Sequence, residues 1–290
     1  MRNSRKLFPA FLLLLCVALR TMAAQLPTQA DQYFTALARE KGFSGVVLVA
    51  KDGKPLFEKS YGMANYELSV PNTVNTRFRL GSVTKPFTSL AVMMLAEQGK
   101  LKLEDPLCNY IERCPTAWKP VTLHHLLSHT SGIKNFTDMP EYMAIMQTAQ
   151  SHLDGLNLVK SLPLAFQPGE RFSYSNTGYV LLGVVIEKAS GTTYQEYLQK
   201  NVFEPLGMKH TGYDSSTQIL EQRASGYSTE DGRLANARFI NMRLPFSAGA
   251  LYSTVGDLML WDQALTQGRL LSAGSLEKML TPVLDNYAYG

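Results

Sequence analysis

The chain has 290 residues, 45% of them hydrophobic and 18% charged, enough apolar side chain for a full core; this excludes a disordered or fibrous protein. Its formal net charge is +4, but residues 1–24 carry four basic side chains (Arg2, Arg5, Lys6, Arg20) and no acidic one, so the remainder balances at 24 of each sign. The basicity belongs to one terminal segment and gives no ground for nucleic-acid binding, which needs basic patches on the folded domain.

In that segment Arg2, Arg5 and Lys6 precede an apolar run from Leu7 to Leu19, and Ala23 and Ala24 follow. A charged start, an apolar stretch short of a bilayer span and a small-residue cleavage site predict a signal peptide over residues 1–24. An uncleaved membrane anchor is the competing reading, and the only membrane association expected. Cys16 follows Leu15 rather than a small residue, which argues against a lipoprotein anchor. The mature domain, 25–290, is then periplasmic or secreted. In that oxidising setting Cys108 and Cys114 read as a structural disulfide, provided their Cα atoms come within about 7 Å. A five-residue gap without a nearby His is not a zinc spacing.

Gln29 to Lys41 reads as an amphipathic helix with Tyr33, Phe34, Leu37 and Ala38 on one face, ended by Gly42. Gly45–Ala50 reads as a buried strand, Asp52-Gly53 as a hairpin turn, and Leu56–Tyr61 as the returning strand. Thr76–Leu80 leads into Gly81-Ser82. From Thr84 to Gln98 the residues Phe87, Leu90, Ala91, Met94 and Leu95 recur at helical spacing, and Gly99 stops the run. Helix and loop are expected up to Pro245, with helices over Thr122–Leu127, Glu141–Gln150, Thr177–Ala189 and Thr193–Phe203. A small-residue segment, Ser247–Thr254, precedes a helix from Val255 to Leu265. A hairpin, a helical block and a return to non-helical chain predict an α/β lobe (25–84 and 246–290) with a mainly helical lobe (85–245) inserted in it.

Ser82 and Lys85, three apart at a helix start, lie on one face about one turn apart. Burial there would depress the Lys pKa, so that the neutral amine takes the Ser hydroxyl proton. The plain alternative is a Ser cap with an exposed Lys. The pattern also occurs at Ser131/Lys134 and Ser275/Lys278, but only Ser82 follows a hairpin, opens a long apolar helix and precedes a Tyr-x-Asn. That second motif is Tyr174-Ser175-Asn176, between the Pro168-Gly169 turn and the next helix. A phenol beside an ammonium serves as a general acid/base, and Asn176 offers an amide to a substrate; a capping Asn with a packing Tyr is the alternative.

With these residues in view, the chain resembles the serine β-lactamase and penicillin-binding protein family, in its class C β-lactamase, D,D-peptidase and esterase branch. The resembling runs are Gly45 to Gly53, Phe78 to Lys85, Lys100 to Pro106, His125 to Gly132, Pro168-Gly169 through Asn176, and Pro205 to Met208. The resemblance implies an α/β (α+β) β-lactamase/transpeptidase-like fold, an antiparallel sheet flanked by helices with an inserted all-helical lobe. It implies Ser82 as nucleophile, Lys85 as its base partner, Tyr174 as second acid/base and Asn176 as substrate contact, without metal or cofactor. A class A Glu-x-x-Leu-Asn motif is absent, which favours Tyr174 for activating the hydrolytic water.

His125 and His129 share a helical face, but no His-Glu-x-x-His accompanies them, so a metal site is not expected. No Gly-x-Ser-x-Gly elbow is present either. The family's third motif, Lys/His-Thr/Ser-Gly on a late strand, is not found. His210-Thr211-Gly212 has the letters but is expected in a loop, and His129-Thr130-Ser131-Gly132 belongs to another signature. The expectation is a chain cut short after Gly290, lacking the C-terminal strands and one oxyanion-hole donor. Expected substrates are β-lactams, D-Ala-type cell-wall peptides or small esters; the alternative is a catalytically impaired fragment or a non-catalytic wall-binding protein on the same fold.

Overall fold

The computed structural model describes residues 26–290, so the expected signal segment lies outside the described residues. Within them the chain divides into two units, one of residues up to Thr76 with Gln222–Ser225, the other of Arg77–Glu221 with Gly226–Gly290.

In the first unit, helix α1 (26–41) stops at Gly42, whose φ is +68°. Strands β1 (Gly45–Lys51) and β2 (Lys54–Tyr61) pair antiparallel, with Gly45 opposite Tyr61 and a register shift after Val49. The turn works because Asp52 (φ +50°) and Gly53 (φ +71°) both take left-handed backbone. Phe34 of α1 lies 5.7 Å from Phe43 and 5.9 Å from Tyr61, ring centre to ring centre. Asp31 accepts from Lys59 Nζ and Tyr61 Oη, fastening the helix to the hairpin. Strands β3 (Met63–Asn65) and β4 (Val70–Pro71) close the unit.

The second unit holds a three-stranded antiparallel sheet in the order β5 (Phe78–Arg79), β9 (Leu251–Ser253), β6 (Gly212–Tyr213). Around it lie α2 (Thr84–Glu97), α3 (Leu123–Leu127), α4 (Tyr142–Ile145), α5 (His152–Val159) and α6 (Asn176–Ser190). Then come α7 (Tyr194–Leu198), which widens into a π-helical turn over Gln199–Phe203, and α8 (Glu204–Leu206). Hairpin β7 (Tyr227–Glu230) and β8 (Arg233–Asn236), the short α9 (Phe246–Gly249), α10 (Val255–Thr266) and α11 (Ala273–Leu280) complete it. Antiparallel strand pairs with helices around them agree with the expected α/β (α+β) class. Cys108 and Cys114 are joined by a disulfide, their Cα atoms 5.3 Å apart.

Some elements depart from expectation. The helix expected over Glu141–Gln150 is only α4, because Ser151 and Asp154 form a reciprocal capping box that starts a new helix, α5. Hairpin β7–β8 turns at Asp231-Gly232, both left-handed, yet its flanks lack the apolar alternation that marks a strand. Ser247–Thr254 resolves into the end of α9 and strand β9, and Gly212 opens β6 rather than sitting in a loop.

Helices α2 and α6 are buried on most of their circumference, with apolar residues all round rather than one stripe. Helix α6 meets α9 at Gly183. A Cβ there would overlap Ser247 Oγ and come within 2.7 Å of Ser247 Cβ. Gly183→Ala is therefore expected to cost about 1–3 kcal/mol through overpacking, read as a lower denaturation midpoint with an unchanged slope.

Candidate active site

Strand β5 delivers the chain into a 3₁₀ turn, Gly81–Val83, that runs straight into α2. Gly81 makes the entry possible with φ +53°. Ser82 sits exposed on this turn, and Lys85 lies in the first turn of α2, only 1% exposed. Lys85 Nζ lies 3.2 Å from Ser82 Oγ, 2.9 Å from Asn176 Oδ1 and 2.9 Å from the Ala248 carbonyl oxygen. These three oxygens match the three N–H bonds of an ammonium, but all are neutral. Without a carboxylate to repay desolvation, burial draws the Lys85 pKa down to about 7. A neutral amine keeps two N–H bonds, for Asn176 and Ala248, and turns its lone pair toward Ser82. That is the arrangement a base for the Ser82 hydroxyl requires.

The two fixed acceptors are themselves held. Ser175 caps α6, its Oγ accepting from Gly178 N at 3.2 Å, which puts Asn176 at the helix start. Asn176 N donates to Asn135 Oδ1 (3.0 Å) and Asn176 Nδ2 to Thr137 Oγ1 (3.2 Å), so its oxygen is left for Lys85. Thr88 Oγ1 donates to the Ser247 carbonyl at 2.7 Å, Ser247 Oγ donates to the Tyr179 carbonyl at 2.8 Å, and Leu251 N donates to Thr84 Oγ1 at 3.1 Å. Those bonds fix α9 with the Ala248 oxygen aimed at Lys85. Sequence reading missed Asn135, Thr137 and Ala248. None belongs to a motif, and a backbone oxygen leaves no side-chain signature.

Tyr174 is 38% exposed and presents its ring face to Lys85, with Nζ 4.7 Å from the ring centre. The structure therefore brings Ser82, Lys85, Tyr174 and Asn176 together from two separate stretches of the second unit. The Tyr174 ring stacks on His129 at 4.4 Å, and Tyr287 approaches both rings edge-on. His129 itself is buried, in a left-handed conformation with φ +57°. Its carbonyl accepts from Ser173 N (2.8 Å) and its Nδ1 accepts from Ser175 N (3.0 Å). Acceptance at Nδ1 places the neutral ring's proton on Nε2. Burial, with a smaller contribution from the Lys85 charge, pushes the His129 pKa down to about 3.

The remaining candidates sit elsewhere. His125 Nδ1 accepts from Thr122 N in a helix cap, and His124 Nδ1 pairs with Tyr289 Oη. Among the described residues no group of three or more His, Cys, Asp or Glu side chains is placed to hold a metal. Ser131 accepts from Ile133 N, and Lys278 pairs with Glu104 at 3.5 Å. Thr211 of the His-Thr-Gly run donates to the buried Asp257 carboxylate.

A cavity of ≈ 270 Å³ adjoins Ser82. Phe136, Tyr142, Ile240, Met242 and Leu244 give it apolar walls, and Thr137, Asn176 and Arg79 also line it. Arg79 Nε donates to Asp214 Oδ2 at 2.5 Å, a carboxylate buried within the unit.

The sequence model of the β-lactamase family matches residues 30–290. The chain belongs to the β-lactamase family. Among relatives of this β-lactamase-family chain, a penicillin-binding protein of Bacillus subtilis is 33% identical over 273 residues, covering 87% of this chain and 59% of its own. A teichoic acid D-alanine hydrolase of Staphylococcus aureus is 27% identical, over 86% of this chain and 62% of its own. The chain thus spans about six-tenths of the length of the curated relatives it matches. The crystal structure of a penicillin-binding protein from Bacillus halodurans superposes with a TM-score of 0.78 at 35% identity, over 88% of this chain and 80% of that one. That similarity agrees with the expected β-lactamase/transpeptidase-like fold.

Proposed function

We propose that the chain is a serine acyl hydrolase working through an acyl-enzyme on Ser82, with β-lactams, D-Ala-type peptides and small esters as its candidate substrates. The observation that carries this reading is the buried Lys85 amine, surrounded by neutral oxygens and drawn down to a pKa of about 7 beside Ser82 Oγ. Lys85 Nζ takes the hydroxyl proton as Ser82 Oγ bonds to the substrate carbonyl carbon. The resulting oxyanion is met by the Ser82 N–H. As the carbonyl re-forms, the bond to the leaving group breaks and Tyr174 gives it the phenol proton, leaving a phenolate beside the Lys85 ammonium. Water then adds to the acyl carbon while Tyr174 takes one of its protons, and the Ser82 Oγ–acyl bond breaks as Lys85 returns its proton to Ser82 Oγ. Asn176 holds Lys85 in line and faces the substrate from the cavity wall. The leader pattern and the Cys108–Cys114 disulfide support export to the periplasm or exterior. The division into an α/β lobe (25–84 and 246–290) and an inserted helical lobe (85–245) belongs to the same proposal.

Incubation with a fluorescent penicillin and, in parallel, with a p-nitrophenyl ester tests the reading. A covalent adduct or ester turnover that disappears in Ser82→Ala is expected. Neither signal from a folded wild-type chain, or signals that persist in Ser82→Ala, would sink it.

A further inference from the structure

The acyl-enzyme reading leaves the acyl group open, and the cavity beside Ser82 narrows it. Resting on that reading, we propose that this cavity is a chamber for an uncharged, apolar acyl group, and that it rejects acyl groups carrying an α-ammonium. Esters and amides of aryl- or alkyl-alkanoic acids then fit, whereas esters and amides of free amino acids do not.

The walls make the first argument. Phe136, Tyr142, Ile240, Met242 and Leu244 surround the space, and Met242 and Leu244 are themselves almost wholly buried. An apolar group entering it exchanges water for these side chains, which is favourable roughly in proportion to the area covered. Charge makes the second. Among the described residues no carboxylate lines the cavity, and the one ionic side chain that does is Arg79. Its Nε is bonded to Asp214, so an entering ammonium would meet a guanidinium rather than an acid. Asp138, beside the lining residue Thr137, accepts from Asn135 Nδ2 and is not part of the wall. The polar atoms at the Ser82 end are committed too, Asn176 to Lys85 and Thr137. The Tyr142 and Thr137 hydroxyls on the lining are neutral, and burying an ammonium without a counter-charge is costly, so the discrimination follows from what the walls lack as much as from what they offer.

The direction of the substrate follows from proton delivery. A leaving group must depart within reach of the acid that protonates it. Tyr174, proposed for that role, lines no part of this cavity, whereas Ser82 and Asn176 do. The part retained on Ser82 therefore occupies the chamber, and the leaving group departs on the side of Tyr174.

A matched pair of ligands separates this from general stickiness. In the Ser82→Ala chain, methionine methyl resonances are followed by ¹³C NMR, with Met242 assigned from Met242→Leu. 3-Phenylpropanamide is expected to shift the Met242 methyl saturably. D-Phenylalaninamide, which adds only the α-ammonium, is expected to bind at least about tenfold more weakly. Ile240→Asp, a change at a half-buried wall position, should reverse that preference. No Met242 shift with the neutral amide, or equal or tighter binding of the ammonium ligand to the Ser82→Ala parent, overturns the proposal; this comparison stands even if the Asp variant does not fold. In the wild-type chain, p-nitrophenyl 3-phenylpropanoate should exceed p-nitrophenyl acetate in kcat/KM by about tenfold, the worth of burying an aromatic group. Comparable values would overturn the acyl assignment. A Met242 response with neither ester turnover nor a Ser82-dependent penicillin adduct would instead refute the hydrolase reading and leave the chamber's preference standing.

Discussion

Lys85→Met is expected to slow acylation of Ser82 by about 10²–10⁴-fold, the usual worth of a positioned general base. Met keeps the unbranched stem in the buried slot and removes the only nitrogen within reach of Ser82 Oγ among the described contacts. For the wild-type chain, the acylation rate should rise about tenfold per pH unit up to an apparent pKa near 7 and then level, because only the neutral amine accepts the Ser82 proton. A rate constant measured by stopped flow with an activated ester or fluorescent penicillin checks both. A Lys85→Met chain that acylates at the wild-type rate, or a profile flat between pH 5 and pH 9, would contradict the role.

The same group makes a stability prediction with a definite sign. The folded pKa, about 7, lies below the ordinary value of 10.5, so between these values the unfolded chain binds more protons. Stability therefore rises with pH through that window, and the penalty of burying the ammonium is fully present below pH 7. Urea denaturation at pH 7 and pH 9 should show Lys85→Met losing a gain of about 2–3 kcal/mol that the wild type makes.

His129→Ala is expected to lower stability by about 2–5 kcal/mol and to slow turnover as well. The variant leaves the Ser175 N–H without its acceptor, worth about 1–3 kcal/mol, and removes the ring that stacks on Tyr174, about 0.5–1.5 kcal/mol, before any cavity cost. His129 holds residues 173–175 by its carbonyl, its Nδ1 and its ring face, so it acts as a positioning residue for Tyr174. His129→Asn tests this without emptying the site. Its Oδ1 reaches the position of Nδ1, and Asn tolerates the left-handed φ better than most residues. The expected result is partial recovery of stability with kcat still reduced and KM little changed. Full recovery of kcat by Asn would show that the stacked ring contributes nothing to Tyr174.

Much of the first unit was legible because its signals are local. Gly42 ends a helix, Asp52-Gly53 takes two left-handed residues in a row, and the strands on either side follow from β-branched and apolar runs. Helix α2 was legible for a similar reason, since Phe87, Leu90, Ala91 and Leu95 repeat at helical spacing and are all buried. Hairpin β7–β8 was not. Its turn carries the same Asp-Gly signal, but Tyr227–Glu230 and Arg233–Asn236 cover no core face that would impose alternation. The break between α4 and α5 was hidden as well, because a capping box is a reciprocal pair of hydrogen bonds and Ser151 and Asp154 each have other uses.

For the candidate site the division is sharper. Sequence alone determined that Ser82 and Lys85 share one face at a helix start, since a spacing of three fixes that wherever a helix forms. By motif, it also picked out Tyr174 and Asn176. Tertiary structure decided which of three Ser-x-x-Lys pairs has a buried lysine beside its serine. It decided that the lysine's partners are an amide and a peptide oxygen instead of a carboxylate, with His129 behind Tyr174. The physical reason is that a pKa depends on the solvent and charges around a group, and those come from α6 and α9, 91 and 163 residues away from Lys85 in the chain.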